Sequence, residues 1–401
     1  MLASRRAVSV LAPLAAAAFA GAWNITFLAP VLPNVADDTG VSVAIAGQLI
    51  TASAVVTLVC LVVAGPLSDR YGRRPMLMLG LAAMGLAALG SAFTSSYQAL
   101  LALRIISGIA DALVLPSAAA AVSDYFEGKD REVALNVLLV PMGAAAVVGL
   151  PVVVAVTYAL DWHVAFLVFA AFNFAAVVSV RWLLPPAGAV APSAGSLADH
   201  YRESYGEVLA TKTAVAVLAS AVLGAAVWNG VVTYAGAFFE DELNAGGGQL
   251  TGLFAALGTA YVIGGVAGAL LARRMPPRPI AVWSALAAAA LLLPLVTSSH
   301  VAPLTVLLAL GFAASRAPGI AALNNMLLDL APNSQGTAIS MYGVIAASGL
   351  LVGAASGGVA IAVEGYIGLA ALFTTLAVGA ALLLTVPFGE RLSPDLPAPS
   401  G

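Results

Sequence analysis

The chain has 401 residues, of which 61% are hydrophobic and only 9% charged, with a mean hydropathy of +1.01 and a formal net charge of −3. A soluble domain carries roughly 25% charged residues, so a water-soluble globule is excluded, and a net charge this small gives no sign of a nucleic-acid partner. The lone cysteine, Cys60, excludes an internal disulfide and a cysteine metal cluster, and His163, His200 and His300 show no ligand spacing, so neither metal nor cofactor is expected.

Apolar stretches about as long as a bilayer-crossing helix recur along the whole chain. They predict spans at 7–29, 43–64, 76–94, 97–122, 132–158 and 161–184. After a gap, six more follow at 213–238, 250–272, 279–298, 301–327, 335–362 and 365–388. The first stretch has Arg5 and Arg6 ahead of an apolar run, as a secretion signal would, but it continues past Trp23 to Pro30 and is taken as a span. The expected fold is an all-α membrane protein of twelve transmembrane helices. Its expected divisions are a six-helix segment at 1–184, a linker at 185–212, a second six-helix segment at 213–390 and a disordered tail at 391–401. The linker is rich in Pro, Ala, Ser and Gly, then polar, with a short surface helix expected over 196–209.

Fourteen of the sixteen Lys and Arg residues fall at the termini or in loops on one side, and only Arg104 and Arg316 lie inside spans. The opposite side carries Asp37, Asp38, Asp161, Glu240, Asp241, Glu242 and Glu364. The positive-inside rule then places both termini and the linker in the cytoplasm. The expected location is a bacterial inner membrane, the chain being a multi-pass monomer surrounded by lipid.

Between the second and third spans lies Gly65-Pro66-Leu67-Ser68-Asp69-Arg70-Tyr71-Gly72-Arg73-Arg74-Pro75. Gly65 permits close approach of a neighbouring helix and Gly72 a tight turn, while Asp69 and the arginines Arg70, Arg73 and Arg74 supply ion-pair partners. The segment resembles the signature loop of the major facilitator superfamily at nearly every position, and the six-plus-six layout extends the resemblance over the whole chain. The resemblance implies two pseudo-symmetric six-helix bundles around a central cavity, with alternating access by rocking. It also implies that Asp124, at the end of span four, pairs with a signature-loop arginine and latches the outward-facing state. Gly268-Ala-Leu-Leu-Ala-Arg273-Arg274 is similar to a decayed second copy of the loop.

In span four, Arg104, Ser107, Gly108 and Asp111 share one helix face. A charge at membrane depth faces a cavity or a partner, and the resemblance associates such an arginine with proton coupling. Arg104 and Asp111 therefore stand either as proton- or substrate-handling groups or as a buried ion pair joining helices. Span five carries Gly143, Gly149 and Pro151, similar to a partial antiporter motif, although Leu150 separates glycine from proline. The glycines and Gly264 and Gly268 in span eight predict tight helix packing.

Asn24, Trp228, Asn229, Arg316, Asn324 and Tyr342 are the candidates for the substrate cavity. Asn24 stands where many drug exporters of the resembled family have an acid, which argues against a strongly cation-selective pump. Arg316 either pairs with Asp111, faces a water-filled cavity, or binds an anionic or carbonyl-bearing substrate. No nucleophile–base pair or nucleotide loop points to an enzyme. The expected function is proton-coupled antiport, the efflux of a small, largely apolar organic compound or drug, as in the twelve-helix drug:proton antiporter branch. The alternative is uptake or exchange of a metabolite such as a sugar or organic acid.

Overall fold

The computed structural model describes residues 5–126, 128–185, 212–330 and 335–385, and the secondary structure there is helical throughout. The chain enters with α1 (Arg5–Phe27), a single 3-10 turn and α2 (Leu32–Thr39). The short α3 (Val43–Ala46) leads into α4 (Gln48–Tyr71), followed by α5 (Arg73–Ser91) and α6 (Tyr97–Tyr125). Next come α7 (Gly128–Ala144), α8 (Leu150–Ala159) and α9 (Trp162–Leu183). The second half holds α10 (Lys212–Leu243), α11 (Gly247–Leu271), α12 (Pro277–Thr297), α13 (Ala302–Leu330) and α14 (Gln335–Thr385).

Ten of the described helical stretches are long and apolar enough to cross a membrane, and the last runs through two spans. It is broken at Glu364 (φ −134°, ψ 15°) and Gly365 (φ 63°, ψ −154°), and only glycine adopts the second of these backbone conformations without strain. The fifth span is split between α7 and α8, so the twelve expected spans are all present. Between α7 and α8 lies a π-helical stretch, Ala145–Gly149. Pro151 lacks the N–H that an α-helix would direct to Val147, and the widened turn just before it is how the helix accommodates that loss. The proposed surface helix at 196–209 and the tail at 391–401 lie outside the described residues.

Exposed apolar side chains occur along the helices where a soluble protein would place polar ones: Val59 is 65% exposed, Leu307 65% and Val359 63%. Such a surface faces hydrocarbon. Inside, helices approach through small residues rather than large knobs. A Cβ on Gly108 would fall 2.5 Å from the Ser53 carbonyl of α4, and one on Gly268 would fall 2.8 Å from Pro318 Cα of α13. Gly264, one turn earlier, backs directly onto the Ala314 carbonyl. The glycine spacing in span eight thus packs α11 against α13, as its pattern suggested.

The two halves meet chiefly through α4 with α14 and α8 with α11, each pair joining the second span of one half to the fifth span of the other. Their seam is closed at the end that carries the acidic loops. There the Tyr234 ring of α10 fills a notch at Gly47, and its hydroxyl donates to the Ala354 carbonyl at 2.8 Å. Gly236 abuts the Pro30 backbone, and Gly247 abuts the Tyr158 side chain.

Candidate functional site

Three groups of side chains matter for function. The first lies at the basic end, where α5 begins and α6 ends. Arg73 Nε donates to Asp124 at 3.1 Å to Oδ1 and stands 2.9 Å from Oδ2. Arg74 donates to the Arg181 carbonyl at the end of α9, and Tyr125 to the Pro185 carbonyl. Arg70 lies over the Tyr71 ring. All these residues belong to the first half, except Pro185, which follows it directly. The Arg73–Asp124 pair was expected at this helix junction, but it ties helix ends within one half and does not bridge the two. Gly72 has φ 89°, a conformation that favours glycine, and makes the turn between α4 and α5. The side chains of Gly65, Asp69 and Tyr342 lie outside those the structure describes.

The second group is buried in the first half. Arg104 is 3% exposed, Asp111 5% and Asn24 5%. Ser107 Oγ donates to Asn24 Oδ1 at 2.9 Å. The Asn24 amide also interacts with the Asp111 carboxyl, and Arg104 attracts it electrostatically. Asn24 thus ties Ser107 and Asp111 of α6 to α1. Arg104 also lies over the Phe166 ring of α9, 5.3 Å from its centroid. Asn24, expected at the substrate cavity, belongs to this cluster. Gly149 sits against Trp23, where a Cβ would fall 2.6 Å from the indole Cδ1, whereas Gly143 meets open space.

The third group is an apolar chamber in the second half, walled by α10 to α14 and capped by Leu150 of α8. Every lining side chain is aliphatic, aromatic or glycine, with Trp228, Phe238, Phe239, Phe254, Phe312 and Tyr366 supplying most of the ring surface. Trp228 contacts Tyr261 at 4.7 Å between ring centroids and Phe312 at 6.2 Å. Of the predicted cavity residues whose side chains are described, only Trp228 lines the chamber. Asn229 donates to the Ala225 carbonyl of its own helix at 2.9 Å, and Asn324 is half-buried farther along α13.

Arg316 is 2% exposed, and its Nη2 donates to the Gly224 carbonyl of α10 at 2.9 Å. Among the described residues no ion pair joins it to Asp111, which corrects that expectation. Asp111 is engaged within its own half by Asn24 and Arg104, and Arg316 reaches across to α10 instead. At the acidic end, Asp38, Asp161 and His163 bring ligand atoms within 4.8 Å of one another, a proximity that sequence spacing did not show. Their atoms are already used: Asp38 accepts from the Trp162 indole at 2.6 Å, and Asp161 from the His163 amide at 2.7 Å.

The sequence profile described as the Major Facilitator Superfamily matches residues 14–354. The chain belongs to this superfamily. As a member of the Major Facilitator Superfamily it is a transporter and not an enzyme. It is 34% identical over 113 residues to the bacillibactin exporter of Bacillus subtilis (strain 168), a match that spans only 28% of that protein. It is 29% identical to a chloramphenicol resistance protein of Streptomyces lividans over 96% of this chain and 97% of that one. Among solved structures, a D-xylose-proton symporter superposes with a TM-score of 0.73 at 15% identity, covering 94% of this chain and 97% of that chain. That last likeness concerns the fold alone.

Proposed function

We propose that the chain is a proton-coupled exporter of a small, largely apolar organic compound, working by alternating access in a bacterial inner membrane with both termini cytoplasmic. In this reading residues 1–184 and 213–390 move as two bundles about the linker 185–212.

The observation that carries the proposal is the separation of a buried ionisable cluster from an apolar chamber, one in each half. Asp111 is a carboxylate whose charge faces Arg104. Protonation removes its attraction for the guanidinium and lets α6 shift against α1, where Asn24 and Ser107 join the two helices. The chamber takes the cargo through ring and hydrocarbon contact, the chemistry expected of a pocket for small apolar molecules. The closed acidic end describes one state of the cycle, in which the basic end would give access. The names of the S. lividans and B. subtilis relatives, a resistance protein and an exporter, support efflux as the direction.

Everted membrane vesicles with an imposed proton gradient test this with chloramphenicol as the first compound. Gradient-driven accumulation is expected in the wild-type chain and is lost in Asp111→Asn, with binding retained. Accumulation by Asp111→Asn equal to wild type would remove Asp111 from coupling, and transport only in the opposite direction would replace efflux by uptake.

A further inference from the structure

We propose that Arg316 is the anion-recognising end of the chamber and that the cargo is a flat aromatic molecule carrying one acidic oxygen group, a carboxylate or a phenolate. This rests on the chamber being the cargo site.

Among the described residues Arg316 is a charged group at membrane depth that little satisfies. A guanidinium has five N–H donors. In the structure one of its nitrogens meets the Gly224 carbonyl, and its buried Nε makes no hydrogen bond. Arg104, by contrast, has Asp111 and the Phe166 ring. Retaining an arginine inside a membrane-spanning helix requires compensation, and among the described residues no carboxylate provides it.

Its position says what would. Phe312 and Ala313 precede Arg316 by four and three residues, so they share its face of α13. A helical side chain leans toward the N-terminus of its helix, which carries the guanidinium toward those two residues, and both line the chamber. On α10, Gly224 stands one turn before Trp228, another lining residue. The guanidinium therefore lies just beyond the chamber end formed by the Trp228 and Phe312 rings, with Tyr261 beside it. A Cβ at residue 224 would fall 2.9 Å from Arg316 Nη2, so the guanidinium end would have to shift to admit it.

The chemistry narrows the occupant. Stacked rings and hydrocarbon walls hold an aromatic body, and they offer a polyhydroxylated molecule almost nothing to bond. An organic cation would meet Arg316 as a like charge, whereas a single carboxylate or phenolate would supply the acceptors that the guanidinium lacks.

Equilibrium binding to the full chain in lipid nanodiscs decides it, with radiolabelled naphthoate and methylnaphthalene as probes of the same shape with and without the charge. Wild type is expected to bind naphthoate at least about tenfold more tightly than methylnaphthalene, the lower end of what a charge-assisted hydrogen bond contributes. Arg316→Gln should lose that preference while binding methylnaphthalene as wild type does, which also shows that the variant is folded. Gly224→Ala, which displaces the guanidinium but keeps its charge, should lose it in part and decides the matter if Arg316→Gln does not fold. A wild-type protein that binds the two probes equally, or variants that keep the full preference, would overturn the anion site and leave the chamber reading intact. Failure of both probes to bind wild type would overturn the chamber reading together with this one.

Discussion

Replacing Gly268 by alanine adds one methyl group where α11 crosses α13. That methyl would stand 2.8 Å from Pro318 Cα and 2.9 Å from Pro318 Cβ. Ordinary contact begins near 3.4 Å, so the two helices must separate by about 0.6 Å or bend, and neither the proline ring nor its backbone yields as a flexible side chain would. Overpacking of this kind costs about 1–3 kcal/mol. The same helix supplies an internal control, because a methyl on Gly265 would find Ala317 Cβ at 3.7 Å and fits. Both substitutions gain the same intrinsic helix preference, about 0.8–1 kcal/mol for Gly→Ala, so that gain cancels between them. Gly268→Ala should therefore be less stable than Gly265→Ala by about 1–3 kcal/mol, measured by reversible unfolding in mixed micelles. Equal stabilities, or a less stable Gly265→Ala, would refute the packing of α11 on α13 described above.

The Arg73–Asp124 pair, with side chains only 18% and 10% exposed, should show a coupling energy of about 1–2 kcal/mol in a double-mutant cycle of Arg73→Ala and Asp124→Ala; strict additivity would deny the pair any energetic role. Asp161 caps α9 through the His163 amide. Burial pushes its carboxyl up, but the hydrogen bonds from the His163 amide and ring, together with the His163 charge, outweigh it and hold the group below its ordinary value of 3.8. A lowered folded pKa means that this stabilisation is complete above 3.8 and disappears as pH falls through the lower folded value. Asp161→Ala should thus lose about 1 kcal/mol, the usual worth of an N-cap, in thermal unfolding at neutral pH and progressively less as the buffer is made strongly acidic; a loss independent of pH would contradict the cap.

The spans were legible because length and apolarity are properties of each segment by itself. The Glu364–Gly365 break was legible for a related reason, since an acid and a glycine interrupt an otherwise continuous apolar run. What escaped was whatever depends on meeting across helices. The chamber is built from apolar residues of several helices, and in a chain that is apolar almost everywhere no one of them stands out. Arg316 and Asp111 looked like natural partners by charge and depth, yet the rotation of each helix turns Asp111 toward Asn24 and Arg316 toward Gly224. Tyr261, beside Arg316 and stacked on Trp228, gave no sequence signal beyond being a lone tyrosine in a glycine-rich span. The latch residues were readable as a motif, but the motif did not say that the Arg73–Asp124 pair joins two helix ends of the same half.

The fit of Tyr234 into its notch has a practical consequence. Position 47 has no side chain, and the phenol occupies the room that this leaves. Gly47→Ala would act as a doorstop, one methyl group wedged where the hydroxyl must go, without disturbing a backbone that is already right-handed helical at that residue. Because Cys60 is the chain's lone cysteine, its replacement gives a blank background on which an introduced thiol reports solvent access from either end. Together these two small changes offer a way to hold the protein ajar and to time its opening, separately from any question of what it carries.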